Sequence, residues 1–165
     1  MTNTEALALA HEMLSYNQET GIFTRNRCDQ RKDLVGKRAG NVNNRGYRAI
    51  RICSVTFLEH RLAWWMVHGF MPEFIDHKNG VRDDNRISNL RPANRRQNNA
   101  NKPASKNNST GFKGVVFRGN RVKQYGACIS KNGKVIHLGS FDTPEAAHHA
   151  YVSAAKEIFG EFAHD

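Results

Sequence analysis

The chain has 165 residues, 39% of them hydrophobic, which is enough for one ordinary domain or two small ones, and we favour two. Its 25 Lys and Arg against 15 Asp and Glu leave a net charge of +10, spread along the chain, which favours nucleic acid as a partner over simple solubility. No apolar run approaches the roughly 18 residues of a membrane span, and no signal-peptide pattern opens the chain. We therefore expect an intracellular protein with no membrane partner.

In the N-terminal half, apolar periodicity and turn residues predict a helix at 5–16, strands at 22–25 and 48–53, and a helix at 58–68. The loops between the two strands are rich in Gly, Asn, Arg and Lys, which suits either an approach to phosphates or plain solvation. Cys28, Cys53 and Cys128 are widely spaced and odd in number, so we expect reduced thiols and no structural zinc site.

Further along, Ile75-Asp76-His77 predicts a strand, and residues 92–101 predict a helix with Pro92 in its first turn. Residues 102–110 carry no large apolar side chain, which is typical of a linker. After them, alternation predicts strands at 112–118, 125–130 and 135–138, the last two joined by an Asn-Gly turn.

The last element is a helix whose start is marked by Thr143-Pro144-Glu145. Strand alternation places Ala127 and Ile129 against this helix. Its own inner face is predicted to carry Ala147, Tyr151, Ala154 and Ile158. The fold class that follows is α+β, with an N-terminal sheet and helix, a strand-strand-helix motif, and a three-stranded antiparallel sheet packed on one C-terminal helix.

The segment that can carry chemistry runs from Ile75-Asp76-His77-Lys78-Asn79-Gly80 through Asp84-Asn85-Arg86-Ile87-Ser88-Asn89-Leu90-Arg91 to Gln97-Asn98. Hydrolysis of a phosphodiester needs a base for the attacking water and a cation for the departing oxygen. His77 is the candidate base, because an ordinary histidine pKa of about 6.5 lies close to neutral pH. Asp76-His77 alone would more often be a structural pair, and Asn-rich segments alone are usually turns. The occurrence of these residues together, at the spacing of this one segment, favours a catalytic role.

In residue type and spacing this segment resembles the HNH endonuclease family, in particular the branch related to phage homing endonucleases, over about residues 45–101. The resemblance implies a nuclease domain at 1–101, with a ββα-metal motif at about 74–101. It implies His77 as general base and Asp76 with Asn98 as oxygen ligands of a divalent metal, Mg²⁺ or Mn²⁺. Asp76 and His77 point to opposite faces of a strand, so the strand must end or bend there.

Other positions of the motif are given lesser roles. Asn89 matches the central Asn of the family, whose role is structural. Asn98 stands where the family often has His, which leaves the identity of the bound metal open. His60-Arg61 also fits the sequence pattern of the branch related to phage homing endonucleases. Arg61 is a candidate phosphate contact, with helix capping or packing as an equal alternative.

The C-terminal part resembles a second family. Phe112-Lys113-Gly114-Val115, Tyr125 to Ile129, His137 to Phe141 and Thr143 to Ala147 are similar to the Apetala-type DNA-binding domain, over most of 109–163. The resemblance implies a DNA-binding domain at 111–165 whose open sheet face lies in the major groove of double-stranded DNA. Its candidate DNA contacts are Lys113, Arg118, Arg121, Lys123, Tyr125, Lys131 and Lys134.

Tyr125 replaces a usual Trp of that family, and Cys128 and Ser130 stand where charges are common. We therefore expect these contacts to increase the affinity for DNA and to set the position of the domain on it, more than to select a DNA sequence. Each basic residue alone is as well explained as a solvated surface charge, and only together do they indicate a patch.

The sequence thus predicts a metal-dependent DNA endonuclease, of homing or phage type, in the cytoplasm of a bacterial or phage-infected cell. One alternative is a non-catalytic DNA-binding regulator with a degenerate nuclease fold, although Asp76, His77 and Asn98 are all present. Another is a nuclease that acts on RNA or on structured DNA. The target sequence, the choice between a nick and a double-strand break, and the choice between monomer and dimer stay open.

Overall fold

A computed structural model describes residues 2–28, 31–105, 107–119 and 122–163. They fall into two compact units, Met1–Ala93 and Asn94–Asp165. Small antiparallel sheets alternate with helices in both, so the α+β class predicted from the sequence is confirmed. Across the ranges that the structure describes, no helix is long and apolar enough to cross a membrane.

The first unit opens with two short helices and a hairpin: α1 (Asn3–Ala8), α2 (Ala10–Met13), β1 (Leu14–Asn17) and β2 (Ile22–Arg25). Thr2 and Glu5 form a capping box at the start of α1. The predicted helix at 5–16 is wrong beyond Met13. From Leu14 onward the backbone pairs with β2, Leu14 opposite Arg25, and the Leu14 side chain is buried in the core.

A three-stranded sheet and a long helix follow. The sheet contains β3 (Asn41–Val42), β4 (Arg48–Ile52) and β5 (Val55–Leu58) in that order, and α3 (Glu59–His68) continues directly from β5. Gly69 ends α3 in the left-handed conformation, with φ 74°. The strand predicted at 48–53 and the helix predicted at 58–68 are confirmed to within one residue.

The unit ends in a second hairpin, β6 (Phe74–His77) with β7 (Leu90–Ala93). A 3-10 turn, Ile87–Asn89, lies in the connecting loop. The predicted helix start at Pro92 is wrong, because Pro92 pairs with Ile75 inside the hairpin. The core that holds these elements together includes Leu14, Phe23, Ile50, Ile52, Leu62, Ile75 and Leu90.

The second unit begins with α4 (Arg95–Ala100), which Asn94 caps by accepting hydrogen bonds from the backbone of Arg96 and Gln97. β8 (Val115–Phe117), β9 (Tyr125–Lys131) and β10 (Lys134–Phe141) then form an antiparallel sheet in the order β10-β9-β8. α5 (Pro144–Phe159) packs on this sheet, and a 3-10 turn, Gly160–Phe162, follows. β8 is shorter, and β10 longer, than predicted.

Local signals in this unit are confirmed closely. Asn132 and Gly133 both have positive φ, 55° and 78°, as a two-residue hairpin turn requires. Thr143 accepts a hydrogen bond from the backbone of Ala146 and caps α5. Ala127 and Ile129 are buried against the helix as expected, while in α5 itself Ala155 is buried rather than Ala154.

The division between the compact units falls at Ala93 and Asn94, which is earlier than the linker predicted at 102–110. The described residues of 102–110 form neither helix nor strand. The Lys113 ammonium group donates to the backbone carbonyls of Ala100 and Lys102, just beyond α4. A functional division into 1–101 and 111–165 stays a prediction.

Candidate active site

Asp76 and His77 are the last two residues of β6, and both are buried, at 4% and 5% exposure. The strand ends at His77, whose carbonyl accepts a hydrogen bond from the Gly80 backbone at 2.9 Å. Adjacent residues of a continuing strand point to opposite faces of the sheet. Because the strand ends at His77, Asp76 and His77 can both serve one site.

The Asp76 carboxylate is held by an arginine on the neighbouring strand. Arg91 lies directly opposite Asp76 in the hairpin, and its Nη2 and Nε atoms are 2.8 and 2.9 Å from Asp76 Oδ2. Both side chains are almost fully buried. Both contacts are to the same oxygen, so this ion pair, with its hydrogen bond from Nε, holds the carboxylate through Oδ2.

The His77 imidazole contacts the side chain of Asn85, with 3.2 Å between Nε2 and the Asn85 amide oxygen. Burial lowers the pKa of His77 below its usual value, more than Asn85 and the nearby aspartates raise it. His77 is therefore neutral at neutral pH and has a nitrogen lone pair that can accept a proton.

The loop after His77 is tied together by asparagine side chains. The Asn89 amide donates to the Asp84 carbonyl at 2.8 Å and accepts from the Asn79 backbone at 3.1 Å. Hydrogen bonds from Arg86 and from Asn79 lower the pKa of Asp84 to about 2. These contacts fit the structural role expected of Asn89.

Sequence reasoning missed a buried polar cluster beside His77. Glu59, the first residue of α3, is fully buried, and its carboxylate accepts from Asn85 Nδ2 at 3.1 Å and from Arg48 Nε at 3.0 Å. Arg48 also donates to the carbonyls of Ala39 and Gly40. An acidic residue in the first turn of a helix is ordinary, so the sequence contained no signal for this contact.

Two aromatic rings also lie close to His77. The His60 ring lies edge-on to it with 5.0 Å between centroids, and the Tyr47 ring is 5.3 Å from His60. The Arg82 guanidinium lies 5.2 Å from the centre of the Tyr47 ring. Burial, with the nearby His77 and Arg61, lowers the pKa of His60 to about 3, so His60 is also neutral.

The N-terminal hairpin supports the same loop. The Tyr16 hydroxyl donates to the Asn85 carbonyl at 2.7 Å, and the Ile87 backbone donates to the Gln18 carbonyl at 3.1 Å. Gly21 approaches so closely that a Cβ there would lie 2.5 Å from the backbone of Asn85. Only glycine fits this position, which also has φ 71°.

The other predicted site residues have different surroundings. Asn98 lies in α4, which belongs to the second compact unit, so its part in metal binding stays a prediction. Arg61 donates to the carbonyls of Pro72 and Glu73. Its expected contact with phosphate stays a prediction as well.

Three of the six predicted DNA contacts that the structure describes in the C-terminal unit are exposed. Lys123, Lys131 and Lys134 are exposed, whereas Tyr125 is half-buried beside Phe117. Arg118 lies over Gly126, where its guanidinium leaves no room for a Cβ, and its Nη2 is 3.5 Å from His137 Nδ1. Arg121 lies outside the described residues.

Comparison with known proteins identifies the central segment. Residues 57–100 match the model of the HNH endonuclease family. A protein of Acanthamoeba polyphaga mimivirus, named as an uncharacterised HNH endonuclease, is 36% identical over 107 residues, which are 63% of this chain and 54% of that protein. The chain thus spans about half the length of the curated relative it matches. No solved structure matches it significantly.

Residues 57–100 therefore resemble an HNH endonuclease domain, and the viral protein that is similar to this chain is also named as an HNH endonuclease. Asp76, His77, Asn85 and Asn89 all lie inside the matched segment, as does Glu59. The family match ends at Ala100. The Apetala-type resemblance of the C-terminal part is therefore unsupported by it and stays a prediction.

Proposed function

We propose that this chain is a metal-dependent endonuclease that hydrolyses phosphodiester bonds in double-stranded DNA, with His77 as the general base. The observation that carries the proposal is the end of β6, where a buried neutral imidazole follows a buried carboxylate within an HNH segment. An imidazole whose pKa is lowered by burial is unprotonated at neutral pH, as a base must be before it accepts a proton.

His77 would take a proton from the water that attacks the phosphorus atom. The rings of His60 and Tyr47 beside it would limit other water and keep the imidazole desolvated. Because the base then carries a positive charge, the nearby aspartates, which already raise the pKa of His77, would stabilise the protonated form.

Asp76 and Asn98 would hold the divalent ion. A carboxylate and an amide oxygen are hard donors that suit Mg²⁺ or Mn²⁺ better than zinc, and the ion-paired Asp76 carboxylate is fixed at the strand end, next to His77. When bound, the ion supplies positive charge to the phosphate and to the departing oxygen. Arg91 would keep the Asp76 carboxylate aligned for this role.

DNA affinity would come from the positive charge of the chain. Lys131 and Lys134 are exposed on the sheet and Lys123 in the loop before β9, and together with Arg118 they would contact phosphates in an Apetala-type manner. Arg61 and Lys113 already donate to backbone carbonyls, which makes them weaker candidates. A homing-type or phage-associated role in an infected cell is supported by the viral origin of the relative.

A non-catalytic DNA-binding protein is the second candidate. The observation that favours it is the ion pair of Asp76 with Arg91, which is also what a purely structural aspartate would form. The two candidates differ in a single property, the ability to cut.

The test is cleavage of supercoiled plasmid with Mg²⁺ or Mn²⁺, with a chelator as a negative control. We expect nicked or linear product from the natural chain and a rate lower by about 10²–10⁴ in His77→Ala, the usual contribution of a general base. His68→Ala, which removes an exposed histidine of α3, is the matched control and should cut normally. Folded protein that binds DNA with either metal and never cuts would favour the binding protein instead.

A further inference from the structure

A chain of three side chains connects the interior of the first unit to His77. Glu59 accepts a hydrogen bond from Asn85 Nδ2 at 3.1 Å, and the amide oxygen of the same Asn85 lies 3.2 Å from His77 Nε2. All three side chains are buried, Glu59 and Asn85 at 0% and 1% exposure. The proposed nuclease function assigns no role to Glu59 or Asn85.

The chemistry of a carboxylate determines which way the Asn85 amide points. An ionised carboxylate can only accept hydrogen bonds, so the Asn85 group that faces Glu59 must be the amide NH₂. Burial raises the pKa of Glu59, whereas Arg48 Nε, 3.0 Å from its other oxygen, and the Asn85 amide oppose that rise and favour the ionised form. The Asn85 oxygen is therefore the atom that faces His77.

The same reasoning then determines the tautomer of the imidazole. An amide oxygen only accepts, so the nitrogen that it contacts, His77 Nε2, must carry the proton. In a neutral ring the lone pair is then on Nδ1. We propose that Glu59 and Asn85 are positioning residues that fix the orientation and the tautomer of His77, so that Nδ1 is the nitrogen that accepts a proton during cleavage. The role in cleavage rests on the proposed function of His77.

Residues outside the family match hold both positioning residues in place. Arg48 bonds the Glu59 carboxylate, and Gly40 lies so close to that carboxylate that a Cβ would collide with it. Tyr16 bonds the Asn85 carbonyl, and Gly21 packs against the Asn85 backbone. The N-terminal hairpin and sheet are therefore part of the scaffold of the site, although the HNH match begins only at Phe57.

The tautomer can be measured without any cleavage. We would label the histidines with ¹⁵N and record long-range proton–nitrogen correlations at a pH above the histidine range, with His77 assigned through its loss in His77→Ala. The wild-type protein should show the proton on Nε2 of His77. Asn79→Ala is the matched control, since it removes another asparagine of the same loop that contacts Asp84 and not His77.

Glu59→Gln makes the sharpest prediction. Arg48 Nε would require the new amide to turn its oxygen towards Arg48 and its NH₂ towards Asn85. Asn85 would then have to present its oxygen to Gln and its NH₂ to His77, which moves the His77 proton from Nε2 to Nδ1. Asn85→Ala removes the contact altogether and should give a mixture of the two tautomers. Asn85→Ala also allows the proposal to be tested if Glu59→Gln does not fold.

Cleavage kinetics supply the second measurement. Both variants should lower kcat roughly 10- to 100-fold, the usual effect of removing a residue that orients a catalytic ligand, and leave KM for DNA unchanged. A wild-type His77 protonated on Nδ1, or variants that keep the wild-type tautomer and kcat, would overturn the proposal. A wild-type tautomer as expected in a protein that never cuts DNA would overturn the nuclease function alone and support the positioning contacts.

Discussion

The two compact units differ in what they bury. Among the described residues, every buried polar or charged residue except Asn101 lies in the N-terminal unit, in or next to the candidate active site. The C-terminal unit buries small and apolar side chains, such as Ala127 and Ala147, and exposes lysines such as Lys123, Lys131 and Lys134. Buried charge is costly unless it is paired. The first unit therefore holds polar and charged side chains in fixed, buried positions. The second unit carries its charge on the surface of a small apolar core.

The strongest test of this contrast is the buried ion pair of Asp76 and Arg91. Arg91→Met leaves the Asp76 carboxylate buried without its arginine, and we expect it to lower the free energy of unfolding by about 3–5 kcal/mol. Both tryptophans of the chain lie in α3, so their fluorescence during denaturant unfolding reports on the N-terminal unit.

Arg86→Met is the matched control for that measurement. Arg86 pairs with Asp84 in the same loop, but its side chain is half exposed, and surface pairs contribute about 0–1 kcal/mol. Equal losses in the two variants would mean that the buried pair has no special role in the stability of this unit.

Acid should destabilise the N-terminal unit through His60. The pKa of His60 is about 3 in the folded protein, against about 6.5 when unfolded, so the neutral ring contributes stability that is complete above pH 6.5 and is lost as the pH falls towards 3. Between pH 7 and pH 5 the loss should be about 2 kcal/mol for this residue. The change in tryptophan fluorescence in denaturant at the two pH values measures it.

His60→Gln should remove that part of the pH dependence. His77, whose pKa shifts in the same direction, would still contribute in the variant. His149→Gln, which changes an exposed histidine of α5, should keep the pH dependence of the natural chain. If His60→Gln behaves like His149→Gln, the desolvation of His60 is too small to matter.

The smallest expected effect concerns the exposed charges of the C-terminal unit. Replacement of Lys123, Lys131 and Lys134 by Ala should weaken DNA binding and reduce the slope of log K against log salt by about 3. The cleavage rate at saturating DNA should not change, because these residues would contact only phosphates. Fluorescence anisotropy of a labelled duplex over a series of salt concentrations measures the slope.

A matched triple variant in the N-terminal unit sharpens this test. Lys32, Lys37 and Arg38 are also exposed, and they lie in or near the basic loops that follow β2. If their replacement reduces the salt slope as much as the lysine triple does, DNA binding is not a special property of the C-terminal sheet.

What the sequence by itself determined was local. The turn at Asn132-Gly133, the cap of α5 at Thr143 and the end of α3 at Gly69 depend on residues within one turn of each other, and all were predicted correctly. The HNH segment was recognised in the same way, because its residue types follow one another within one stretch of chain.

Only the tertiary structure decided the rest. Leu14 is apolar and fits a helix, but pairing with β2 placed it in a strand. Glu59 contacts Asn85 across 26 residues, and Tyr16 contacts Asn85 across 69. No local pattern indicates such partners, since a buried carboxylate is stable only when distant donors converge on it, and the folded chain alone brings them together.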